Sequence, residues 1–122
     1  MMDVKTELCR AIAEMAYVIA KADHGLSAEE RMAFNKIVQE ELDFQAWAAQ
    51  SRFELLDEVT QPSLETAYNE AMHEFRKHKN HLTEDLKQKA FRVMTKVAEA
   101  CRGFSEQEAV ILNKFKNDLQ NL

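Results

Sequence analysis

Turn-forming residues are scarce in this chain: 122 residues hold two glycines and a single proline. A sheet protein of that length needs repeated tight reversals, and glycine and proline supply most of them, so the shortage disfavours β architecture. Two cysteines make no disulfide framework, and Cys9 and Cys101 read as reduced thiols in a cytoplasmic protein. No apolar run approaches the roughly 18 residues of a membrane span. The start, MMDVKTELCR, lacks the basic-then-apolar order of a secretory signal. The net charge of −5 disfavours general nucleic-acid binding, which depends on neutralising phosphates.

What is abundant is Ala, Glu, Lys, Leu and Met, the good helix formers. Apolar positions recur at helical spacing along almost the whole length. Val4, Leu8, Ile12, Met15, Ile19 and Ala22 mark an amphipathic helix over 3–23. Gly25 ends it, and Ser27 with Glu30 makes a capping box for the next helix, whose buried stripe is Phe34, Ile37, Val38 and Leu42. A third helix from about Asp43 is expected to turn Phe44, Trp47, Ala48, Leu55, Leu56 and Val59 inward. TQPS at 60–63 is the clearest break, with the proline suited to a first helical turn. The fourth helix buries Leu64, Ala67, Tyr68, Ala71, Met72 and Phe75. Thr83 caps a fifth with Leu86, Met94, Val97 and Ala98 inward, and Ser105 opens a sixth with Ile111, Leu112, Phe115 and Leu119. The expected fold is all-α: one domain over 1–122, a compact bundle of six to seven helices.

The chain also repeats itself. Residues 19–38 align with 97–116, with identities at Ala20/Ala98, Ala22/Ala100, Gly25/Gly103, Ser27/Ser105, Glu30/Glu108, Asn35/Asn113 and Lys36/Lys114. This is one duplication of a helix–turn–helix, giving related hairpins at about 4–42 and 84–121. It is not a solenoid, which needs several consecutive copies.

With the motif and its copy in view, AKADHGLSAEE (residues 20–30) resembles the signature of the TerB-like (tellurite resistance protein B) family. In that family an Asp, a Ser and a Glu recur at the places of Asp23, Ser27 and Glu30. Two departures stand out: His24 takes the family glycine position, and Cys101 stands where the second copy often carries another Asp. The resemblance implies a non-enzymatic helical protein of tellurite-resistance or stress-response type complexes, and a metal held by the hairpin acids.

The residues themselves allow that reading and a plainer one. Asp23 and Glu30, with Ser27 and Glu29 beside them, would offer the oxygen ligands that Ca²⁺ or Mg²⁺ prefers. Yet Glu30 is also explained by the capping box and Glu29 by the field at a helix N-terminus, whereas Asp23 near a helix C-terminus is not. Glu108, whose partner position holds Cys101, reads as capping. His73, His78 and His81 in HEFRKHKNH read as a solvated helix end; only His78 and His81 are spaced to converge.

No nucleophile elbow, phosphate loop or zinc-protease motif is present, so no enzyme is expected. An acidic second helix makes DNA reading poor. Residues 1–75 carry a charge balance of −9 and residues 76–122 one of +4, which suits intramolecular pairing, self-association or a charged protein partner. The alternative function is a structural or adaptor domain without metal, its partner on the basic stretch 76–96.

Overall fold

A computed structural model describes residues 4–22, 28–42, 46–100 and 106–122. Those residues form six α-helices and no strand: α1 (Val4–Lys21), α2 (Ala28–Leu42), α3 (Ala46–Leu55), α4 (Leu64–Lys77), α5 (Glu84–Ala100) and α6 (Glu106–Gln120). α3 runs on into a π-helical turn, Leu56–Thr60, and a 3₁₀ turn, Lys79–His81, separates α4 from α5.

Helix boundaries follow the capping chemistry of the sequence. Ser63 caps α4, its hydroxyl accepting from the Thr66 N–H at 3.2 Å, and the Thr83 hydroxyl accepts from Leu86 N–H at 3.1 Å before α5. Pro62 therefore lies just ahead of the cap instead of in the first turn. Gln61 before it takes a left-handed φ of 42°, its N–H closing the π turn on the Leu56 carbonyl. The duplication is visible in the helices: α2 spans 28–42 and α6 spans 106–120, each bound displaced by the same 78 residues as the sequence repeat.

α1 is the axis. It packs on α3 and α4 most extensively, then on α5 and α6. Every residue from Ala11 to Ala20 is buried, so the expected amphipathic stripe is here a helix enclosed on all sides. The alanines at 11, 13, 16 and 20 explain this: small side chains let neighbouring helices approach every face. α2 packs chiefly on α5 and α3, so the helices joined by the first turn find their main neighbours elsewhere. Phe34 of α2 stacks on Phe53 of α3 with ring centres 4.0 Å apart, and Phe75 of α4 meets Phe115 of α6 at 5.7 Å.

The third helix departs from expectation. Ala46, Ala48, Ala49 and Phe53 face inward, while Trp47 is 58% exposed, Val59 is 70% exposed and Leu55 is also exposed. The inward face of α3 is built from alanines against the enclosed α1, leaving no room there for an indole. Phe44 lies outside the described residues.

α2 is fastened to α5 by Glu41, whose two oxygens accept from Arg92 Nε at 3.1 Å and Lys96 Nζ at 2.9 Å. These hydrogen bonds, Lys96's first, hold the Glu41 carboxyl below the ordinary glutamate range despite the opposing effect of burial. A lowered acid stabilises the fold above its unfolded-state value, and the contribution disappears as pH falls through the folded one. Glu41→Gln should thus cost roughly 1 kcal/mol at neutral pH. Urea midpoints of the two proteins should converge when the comparison is repeated at acid pH.

Candidate functional site

Helical spacing brings two rows of polar side chains face to face between α1 and α4. On α1, Glu7 and Glu14 lie two turns apart on one side; on α4, Glu70, Glu74 and His78 follow at intervals of four. Where the helices meet, Glu7, Glu14 and Glu74 line a cleft of about 140 Å³ together with Arg10, Ala11, Arg52 and Lys77.

The inner end of the cleft is a buried ion pair. Glu14 is 4% exposed in the middle of the enclosed helix. Arg52 of α3 donates from Nε at 2.9 Å and from Nη2 at 2.5 Å, both to Glu14 Oε1. Glu14 Oε2 is left buried without a hydrogen-bond partner among the described residues. Burial pushes the Glu14 carboxyl above the ordinary glutamate range; Arg52 opposes that, and the negative charges of Glu70 and Glu74 add to it.

The outer end is half-buried. His78 caps α4, its backbone N–H on the Glu74 carbonyl at 3.1 Å. Its ring nitrogen Nε2 stands 2.6 Å from Glu7 Oε2 and 3.6 Å from Glu74 Oε2, with the His78 side chain 11% exposed. The approach to Glu7 is close but not aligned as a hydrogen bond. One ligand atom each from Glu7, Glu74 and His78 lies within 4.8 Å of the others, the one such trio among the described residues. His78 is therefore part of a tertiary cluster and not a solvated helix end. His81 is exposed and borders a different cleft with Val4, Lys5 and Asp85, so it does not converge with His78; His73 is exposed.

Of the hairpin candidates, Asp23 and Ser27 lie outside the described residues, as does the side chain of Glu30. Glu29 is exposed in the first turn of α2. Glu108, read as a cap, is 0% exposed, and Ser105, its partner in that reading, lies outside the described residues. Ala22, the last described residue before the first joint, shares a cleft with Glu106 and Gln107, the first after the second joint. The end of α1 and the start of α6 thus lie at one end of the bundle. Cys9 is buried on α1, and Cys101 lies outside the described residues. In the basic stretch 76–96, Lys89 pairs with Asp85 and Arg92 and Lys96 pair with Glu41, while Arg76, Lys77 and Lys79 are exposed.

Sequence reasoning passed over Glu7, Glu14, Arg52 and Glu74. The available signal was Glu14 itself, one acid inside the apolar run AIAEMAYVIA. An acid in such a place must be paired or pay heavily for burial.

The tellurite resistance protein TerB family model matches residues 9–120. Neither a curated protein nor a solved structure matches the chain.

Removing one member of a buried pair leaves an uncompensated charge. Arg52→Met should destabilise the protein by about 3 kcal/mol in urea unfolding. The double variant Glu14→Met/Arg52→Met should recover most of that loss. Since a raised acid favours the folded state as pH falls, the Arg52→Met deficit should shrink on moving from neutral pH toward mild acid.

Proposed function

Because the chain belongs to the tellurite resistance protein TerB family, we propose that it is a non-enzymatic, cytoplasmic helical module of tellurite-resistance or stress-response type complexes. It takes a divalent cation, Ca²⁺ or Mg²⁺, at the acidic hairpin through Asp23 and Glu30, with Ser27 and Glu29 in support. The cation conditions that end of the bundle for a protein partner.

The observation that carries this reading is the match of the tellurite resistance protein TerB family model to residues 9–120, with Asp23, Ser27, Glu29 and Glu30 gathered in one short stretch of sequence. Hard cations take their ligands from oxygen, which all four of these side chains offer. Asp23 adds an acid where the helix field does not favour one. Titration calorimetry of the purified chain with CaCl₂ and MgCl₂ tests it. Saturable binding is expected, weakened at least about tenfold by Asp23→Asn, as loss of a carboxylate ligand should do; an absence of saturable binding at millimolar cation would overturn it.

A second reading, an adaptor domain without metal, draws on Trp47. This side chain is more than half exposed beside Arg31 and Glu58 in a cleft between α2 and α3, where a partner can reach it. Under that reading Glu30→Gln lowers the melting temperature equally with and without cation.

A further inference from the structure

We propose that Glu7, Glu74 and His78 form a second metal site, for a divalent transition metal of the Zn²⁺ class, independent of the hairpin. It sits near the start of α1, and the helical rise separates Glu7 from Ala22 beside the hairpin by roughly 22 Å.

The donor set selects the metal. An imidazole nitrogen with two carboxylates suits zinc and its neighbours in the transition series, whereas calcium and magnesium take oxygen alone. The scaffold also suits it. Glu74 and His78 are four residues apart at the end of one helix, with the backbone hydrogen bond between them fixing their relation. Glu7 comes from a second helix packed against the first. Two ligands from one helical turn and a third from elsewhere leave a fourth position open for water or an incoming group, as in three-ligand zinc sites. His78 Nε2 stands 2.6 Å from Glu7 Oε2 and has no hydrogen-bond partner among the described residues, so its lone pair is not spent on a neighbour. Glu7 and Glu74 are each about a third exposed, so an ion can enter from solvent.

An independent feature points the same way. Glu14 is more than nine-tenths buried and lines the same cleft as Glu7 and Glu74, with Oε2 lacking a hydrogen-bond partner. Its other oxygen takes both Arg52 bonds, so that guanidinium is already committed. Arg10, half-buried, and Lys77, at the exposed rim, also line the cleft. Against them stand the carboxylates of Glu7, Glu14 and Glu74, with Glu70 within electrostatic reach of Glu14. A cation held by the outer trio would answer the carboxylate of Glu14 behind it, as outer groups do around bound metals.

The test uses the full chain, stripped with chelator and titrated with ZnCl₂ by calorimetry and thermal melting. One retained zinc per chain and a raised melting temperature are expected, since a ligand binding only the folded state stabilises it. His78→Gln and Glu74→Gln should each weaken binding at least about tenfold, because even outer-shell losses cost that much. Asp23→Asn should leave it unchanged. Affinity should fall on acidification, as protons compete for the ligands. If His78→Gln proves unfolded by circular dichroism, Glu7→Gln replaces it. No retained zinc, zinc retained equally by the variants, or zinc lost on Asp23→Asn would overturn the proposal. The calcium and magnesium titrations judge the hairpin reading separately.

Discussion

The enclosure of α1 is the constraint on which the rest of this protein depends. A helix touched by neighbours on every side must be apolar all round, and it must be slim enough for four other helices to reach it. Alanine at 11, 13, 16 and 20 supplies the slimness, while Ile12, Met15, Tyr17, Val18 and Ile19 supply the apolar volume. Tyr17 shows how narrow the allowance for polarity is: its ring lies edge-on to Phe53, and its hydroxyl reaches out to donate to the Pro62 carbonyl at 3.2 Å. Glu14 is the single charge admitted to the run from Ala11 to Ala20, and α3 must present Arg52 to hold it.

Charge then organises what packing leaves open. The acidic first part of the chain and the basic last part are partly matched inside the molecule. Glu41 holds Arg92 and Lys96, and Glu7 meets His78. Tyr68 adds a neutral-to-charged link, donating its hydroxyl to Asp118 at 2.5 Å with Lys114 above its ring. Burial and the Asp118 charge both push that phenol further from ionising. Partly exposed links of this kind contribute modestly each, but they tie named helices together. In the α1–α4 cleft, Glu7, Glu14 and Glu74 meet Arg10, Arg52 and Lys77, with the half-buried His78 beside Glu7.

The helices, their caps and the duplication were legible because each depends on residues close in sequence. Thr83 caps where its spacing to the next apolar residues says it should, whereas the cap at Ser63 leaves Pro62 outside the helix; α2 and α6 keep the 78-residue offset of the repeat. Trp47 was misread because an apolar residue at helical spacing marks a face without saying whether a neighbour can accommodate it. In α3 the accommodating face belongs to Ala46, Ala48 and Ala49. Among the candidate site residues, the local motif drew attention to the hairpin, whereas Glu7, Glu74 and His78 are drawn together across 71 residues of chain with no shared motif.

Composition and periodicity by themselves determined that the chain is helical and where most helices begin, since backbone hydrogen bonding and capping act over a few residues. Tertiary structure alone decided that α1 is enclosed, that Glu108 is wholly buried, that Glu7, Glu14, Arg52 and Glu74 share a cleft, and that His78 meets Glu7 and Glu74. The reason is one of range. A helix's own period tells which side chains align along it, but only packing against another helix determines which two faces meet and what charge is shut between them.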